Sequence, residues 1–147
     1  MKRSLILGLF LAFSLQSCSE DDNSNSNNNN NPNSGFTWKE NGGAEIKADS
    51  AYYVTQFKTI KAFKNFSDPV NSKFIEINLT GGTPATYDVS NGNDISFLYS
   101  NNLYVASTGA VIISENSSNK MTGTFTSTST NGTVTSLEGS FKSIEIR

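Results

Sequence analysis

Whatever chemistry this chain does, it does without histidine. None of its 147 residues is histidine, which excludes a Ser-His-Asp or Cys-His catalyst within the chain and any histidine-ligated zinc or haem. Cys18 is the only thiol, so no disulfide can form within the chain. Hydroxyls, carboxylates and aromatic rings remain. Ser117-Ser118-Asn119-Lys120 has the spacing that lets a serine nucleophile face a lysine one helical turn on. That device needs a helix start and partner motifs such as Ser-Asp-Asn and Lys-Thr-Gly. Neither occurs, and the tetrad sits among turn-forming residues, so it reads as a hairpin turn. Asp88-Val89-Ser90-Asn91-Gly92-Asn93-Asp94 sets oxygen-bearing side chains around a glycine, a faint calcium-loop pattern. The position where a bidentate glutamate should close such a loop is Tyr99, and a turn is again the better reading. No metal or other cofactor is implied.

Two patterns leave room for a ligand. Paired carboxylates hydrolyse glycosidic bonds without histidine, which keeps a small carboxylate-dependent hydrolase as an alternative. The acidic residues are scattered, however, and no pair can be identified from spacing. Aromatic side chains can stack on sugar rings, and Trp38, Tyr52, Tyr53, Tyr87, Phe97, Tyr99 and Tyr104 are the candidates. Tyr52 and Tyr53 stand out as possible ligand-binding residues. Neighbours in a strand point to opposite faces, so at least one of the two can reach solvent. Trp38, the only tryptophan, is expected to close the core near the start of the folded segment.

The first quarter of the chain carries an address. Lys2 and Arg3 form a positive start, and Leu5 to Leu15 form an apolar stretch. That stretch is shorter than the roughly 20 residues a membrane-spanning helix needs, so it reads as the core of a signal peptide. It ends in Leu15-Gln16-Ser17-Cys18, which resembles the lipobox of bacterial lipoproteins: an aliphatic residue three before the cysteine and a small one just before it. The resemblance implies cleavage after Ser17, making residues 1–17 the signal peptide, and diacylglyceryl transfer to the Cys18 thiol. Two or three acyl chains, at about 0.8 kcal/mol per buried methylene, make an effectively permanent anchor. The membrane is then a partner through the lipid on Cys18. Ser19, Glu20, Asp21 and Asp22 follow, and a serine with acidic residues at this place resembles the export signal that sends Bacteroidota lipoproteins to the outer face of the outer membrane. Residues 23–34 hold no apolar side chain and cannot offset the entropy of ordering, so residues 18–34 are expected to be a lipidated cysteine followed by a disordered linker.

Residues 35–147 are then the folded unit. Setting aside Lys2, Arg3, Glu20, Asp21 and Asp22, the eleven basic and thirteen acidic residues fall to nine and ten. A near-neutral domain without a basic run is no nucleic-acid binder, because that affinity is built on phosphate neutralisation. Apolar and polar residues alternate with period two through segments rich in β-branched and aromatic side chains, the mark of half-buried strands. Strands are expected at Phe74–Leu79, Ala85–Val89, Ile95–Tyr99, Leu103–Ser107, Ala110–Ser114, Met121–Thr130 and Thr133–Ile146. Asn91-Gly92 and Asn131-Gly132 are read as turns, since Asn-Gly suits the positive φ angles of a type I′ hairpin. Residues 51–66 fit two patterns: Tyr53, Phe57, Ile60 and Phe63 are spaced like a helix face, yet Thr59 to Lys64 alternates like a strand hairpinned to Phe74–Leu79. Strands are favoured. The fold class is all-β, an antiparallel sandwich or up-and-down barrel of about eight to ten strands.

The arrangement resembles a family of small Bacteroidota surface lipoproteins known only as a domain of unknown function. The matching residues are Phe36-Thr37-Trp38 with Ala48, then Ala85-Thr86-Tyr87-Asp88, then Gly123-Thr124-Phe125 with Gly139-Ser140-Phe141. The resemblance implies a β-rich fold outside the cytoplasm and supplies no activity and no catalytic residues. Asp49-Ser50-Ala51 also resembles the short O-glycosylation acceptor of that phylum. The expectation is a lipid-anchored outer-membrane protein facing the cell exterior, whose β-domain is a non-enzymatic binding or structural module. A glycan or an envelope protein would be its partner, with a glycan-binding accessory to polysaccharide uptake as the first alternative.

Overall fold

The alternation becomes strands over most of residues 35–147, which are the residues the computed structural model describes. The expected signal peptide, Cys18, Ser19 to Asp22 and the expected linker lie outside them. Eleven strands run in chain order: β1 (Gly35–Glu40), β2 (Ile46–Lys47), β3 (Ser50–Val54), β4 (Thr59–Lys64), β5 (Lys73–Asn78), β6 (Ala85–Asp88), β7 (Asp94–Tyr99), β8 (Asn102–Val105), β9 (Thr108–Ser117), β10 (Lys120–Thr128) and β11 (Ser136–Ile146). They make one sheet, curled into a half-barrel: nine follow the order β6-β9-β10-β11-β3-β4-β5-β7-β8, and β1 pairs with β11 on one side and β2 on the other. The fold is all-β, and the described residues hold no helix. Residues 51–66 form β3 and β4, and β4 pairs with β5 as the strand pattern anticipates.

The curl follows from how β11 divides its edge. Its first half pairs antiparallel with β1, from Glu40↔Leu137 to Gly35↔Lys142. Its end pairs parallel with β3 at Glu145↔Tyr52 and Ile146↔Tyr53. Between the two halves Ser143 has φ 50°, and the register with β10 slips between Met121 and Gly123. The slip continues into the β9 pairing between Thr122 and Gly123. A bulge bends its strand and adds local twist, so this line of irregularities turns β11 from one neighbour to the next. The Ser143 N–H, freed from the ladder, donates to Thr122 Oγ1 at 3.1 Å.

Inward positions build one core. Phe36, Trp38, Ile60, Ile75, Ile77, Ile95, Phe97, Phe125, Leu137 and Phe141 are all fully buried. Two Gly-x-Phe triplets interlock there. Gly123 lies opposite Phe141, and Phe125 lies opposite Gly139, so each ring occupies the space where the facing glycine has no Cβ. A Cβ built on Gly139 would collide with the Phe125 ring and with the Thr37 carbonyl. Trp38 packs edge-on against Phe36 and Phe97, and its indole N–H donates to Glu40 Oε1 at 3.0 Å. Lys73 Nζ reaches the same carboxylate at 2.7 and 3.0 Å and lies over the Tyr99 ring. The one buried indole and the half-buried charges beside it are therefore mutually satisfied.

The turns differ from the Asn-Gly expectation. The two-residue hairpins are Ser100-Asn101, with φ 46° and 64°, and Ser118-Asn119, with φ 50° and 58°. The latter pair lies inside the Ser-x-x-Lys tetrad, which is a hairpin turn. Of Asn91-Gly92 and Asn131-Gly132, only the glycines have positive φ, and both dipeptides sit in wider loops clamped by another asparagine. Asn93 accepts from the Thr80 N–H at 2.7 Å and donates to the Asp88 carbonyl at 2.9 Å. Asn41 accepts from the N–H groups of Thr135 and Ser136 at 2.8 and 3.1 Å. The side-chain amide of Asn93 thus organises the oxygen-rich Asp88–Asp94 loop.

Candidate functional site

Parity decides which aromatic rings reach solvent. Tyr53 pairs with Ile60, and both point inward. Burial, then the nearby Tyr87 phenol, raises the Tyr53 pKa above its ordinary value. Tyr52, one residue earlier, points outward and is half-buried. The expected split between the two tyrosines is therefore real, but Tyr53 belongs to the core and is not a surface ligand contact. Trp38, Tyr87, Phe97 and Tyr104 are likewise buried. Of the seven aromatics that the sequence offered as a stacking platform, only Tyr52 lies on the aromatic outer face.

That face is built from residues the composition did not single out. Phe63 and Phe74 are direct cross-strand partners on β4 and β5 and stack with centroids 4.8 Å apart. Tyr52 stacks beyond Phe63 at 6.0 Å, and the Arg147 guanidinium lies over the Tyr52 ring, 4.1 Å from its centroid. Phe66, in the loop after β4, meets Phe63 edge-on at 5.3 Å and is 76% exposed. Stacked and edge-on pairs of this kind hold one another at about 0.5–1.5 kcal/mol beyond their area burial. The rings thus form a fixed ladder with Phe66 as its open end.

Phe66 borders a shallow hollow of about 460 Å³ lined also by Asp49, Asn65, Ser67, Asp68 and Asn71. Antiparallel pairing of β3 with β4 brings Asp49 here: the Asp49 N–H bonds to the Phe63 carbonyl at 2.8 Å. Lys64 Nζ at 2.6 Å and the Asn65 N–H at 2.7 Å hold the Asp49 carboxylate and lower its pKa below the ordinary value. Asp68 is held by the Asn71 side-chain amide at 2.8 Å, then by the N–H groups of Asn71 and Val70, and its pKa is lowered too. Both carboxylates are ionised at neutral pH. They can accept hydrogen bonds from hydroxyl groups, but neither is a proton donor there, and glycoside hydrolysis by a carboxylate pair needs one protonated acid.

Farther along the face, Asn78 Nδ2 donates to Glu76 at 3.3 Å and to Asp94 at 3.1 Å, while Lys61 pairs with Glu76 at 3.3 Å. These groups are half-buried along the strand surface. Among the described residues no three cysteine, aspartate, glutamate or histidine side chains gather into a metal centre. Nor is any helix among them long and apolar enough to cross a membrane. No family model matches the chain, and no characterised protein or solved structure is similar to it.

The sequence held one local signal for this site. Phe66 stands in Asn65-Phe66-Ser67-Asp68-Pro69, a large apolar ring inside turn composition, where burial is hard to achieve. Nothing local pointed to Asp49.

Proposed function

We propose that this chain is a lipid-anchored outer-membrane protein whose β-rich module binds a glycan at the cell exterior without transforming it. The observation that carries the glycan reading is the exposed Phe66 ring beside a hollow lined by two ionised carboxylates and two side-chain amides. An apolar ring matches the C–H face of a pyranose, while carboxylate and amide oxygens accept from its hydroxyls. The stacked rings behind Phe66 lower the cost of ordering it, which favours binding to a preformed surface. Hydrogen bonds from Lys64, Asn65 and Asn71 hold both carboxylates in their ionised, accepting form, which suits binding of sugar hydroxyls at this hollow. The anchoring rests on Leu15-Gln16-Ser17-Cys18 and the acidic run after it, in keeping with the resemblance to small Bacteroidota surface lipoproteins.

Every strand pairing described and the whole buried cluster lie within residues 35–147, so that fragment carries its own core and is the unit to screen. It should bind at least one polysaccharide in a panel of bacterial, plant and host glycans. Phe66→Ala should weaken that binding about tenfold, equivalent to roughly 1.4 kcal/mol, and lower stability by no more than the about 0.5–1.5 kcal/mol of its edge contact with Phe63. A wild-type fragment that binds no glycan, or a Phe66→Ala fragment that binds equally well, would overturn the reading. For the anchor, Cys18→Ala should abolish incorporation of labelled fatty acid; retained label would refute lipidation at Cys18.

A further inference from the structure

Three strands leave an edge of the sheet open: β2, β6 and β8. Natural edges are kept from pairing with other chains by charge, by proline or by shortness. β2 carries Lys47, and β6 is entered through Pro84 and ends at Asp88. β8, Asn102-Leu103-Tyr104-Val105, has neither charge nor proline and, at four residues, only shortness. Its outward side chains are apolar and open to water, with Leu103 64% and Val105 51% exposed, and Leu98 beside them on β7 is 43% exposed.

The backbone at this edge is also open to pairing. The Ala106 N–H bonds to the Ile95 carbonyl at 2.9 Å, which sets the alternation along the β7 pairing. Tyr104↔Phe97 and Asn102↔Tyr99 are then the other hydrogen-bonded pairs. Leu103 and Val105 direct their N–H and C=O groups away from β7. Among the described residues neither takes part in any other backbone or side-chain hydrogen bond.

We propose that β8 is a self-pairing edge that joins two copies of this chain in an antiparallel β8–β8 ladder. A two-fold axis through the Tyr104 pair places Leu103 of each copy opposite Val105 of the other. Each Leu103–Val105 pair exchanges two backbone hydrogen bonds, so the four free groups of each edge are all satisfied. The facing side chains are apolar on both sides, with no charge to bury, which is why a second copy fits this edge. The joined outer faces continue the cross-strand row Phe63–Phe74–Leu98–Leu103 from one copy into the next. Four residues per copy bury well under the roughly 1,000 Å² of a stable interface. The dimer is therefore weak in solution, and confinement by the anchor proposed above would favour it through effective concentration.

Sedimentation equilibrium of fragment 35–147 at up to about 1 mM, where even a complex with a Kd of about 1 mM is populated, should show reversible dimers that grow with concentration. Leu103→Lys, a change at an exposed position, should leave the fold intact and remove the dimer. The fragment lacks cysteine, so single thiols report the register. A mixture of Leu103→Cys and Val105→Cys should form the mixed disulfide faster than either variant joins to itself. Paired Cα atoms in such a ladder lie about 5.5 Å apart, within disulfide reach. A monomer at all concentrations overturns the proposal, as does an undiminished Leu103→Lys dimer. Self-linking of Leu103→Cys as fast as mixed linking overturns the register.

Discussion

The two outer faces of this curled sheet share one core and one rule of alternation, yet they present opposite chemistry. On β9, β10, β11 and β1 most outward positions are hydroxyls, Thr108, Thr124, Thr126, Thr128, Ser140 and Thr37, with Glu138, Lys39 and a single exposed Ile112 among them. Hydroxyls pair across strands there, Thr108 with Thr128 at 2.7 Å and Thr37 with Ser140 at 3.4 Å. On β3, β4, β5 and β7 the outward row is Tyr52, Phe63, Phe74 and Leu98. Both faces have shallow hollows, of about 380 and 300 Å³ on the hydroxyl side and about 460 Å³ beside Phe66. Hollow size therefore does not distinguish them. The ring does: Trp38 and Phe125 line a hydroxyl-side hollow from below but are each 1% exposed. Threonine is a good strand former that water solvates, so the hydroxyl face needs no partner. A contiguous exposed apolar patch marks an interaction site in a soluble module.

The comparison can be tested first at what the faces share. Trp38 lies beneath both, so Trp38→Ala should cost about 3–5 kcal/mol as a large aromatic deletion, and the wild-type emission should be blue-shifted. Chemical denaturation reads the first and fluorescence the second. A water-exposed emission maximum with an unchanged midpoint would mean that the core is organised differently.

A smaller effect should separate the faces by pH. Asp49 and Asp68 have lowered pKa values in the folded chain, against about 3.9 for an unfolded aspartate. Their contribution to stability is present above about pH 4 and is lost as pH falls through the lowered folded values. Amide exchange in the 65–71 loop should therefore rise in acid before exchange in β9 and β10 does. Simultaneous loosening of both faces would deny the loop its carboxylate clamps.

The smallest effect should come from the hydroxyl face itself. Thr126 is exposed, and Thr126→Ala should change stability by less than about 0.5 kcal/mol and leave glycan binding untouched. Lost binding in this variant alone would move the site to the other face.

The sequence by itself determined most of the strands, though not β1 and β2, because period-two alternation is a local property: each side chain's face follows from its neighbours two residues away. It also determined that Tyr52 and Tyr53 part company and that residues 51–66 could be strands. It could not say which parity is inward, and so could not tell that Tyr53 would be buried while Phe63 and Phe74 would stack outside. The turns show the same boundary. Asn131-Gly132 has the local chemistry of a tight hairpin, yet Asn41, ninety residues earlier in the chain by its bonds to Thr133, Thr135 and Ser136, holds that stretch as a wider loop. Only tertiary structure decided that β6 leaves the β5–β7 neighbourhood to pair with β9, that Asp49 meets Phe66, and that β8 ends the sheet. Each depends on contacts between residues far apart in sequence, whose register is set by the closing of one shared core and not by any stretch of chain alone.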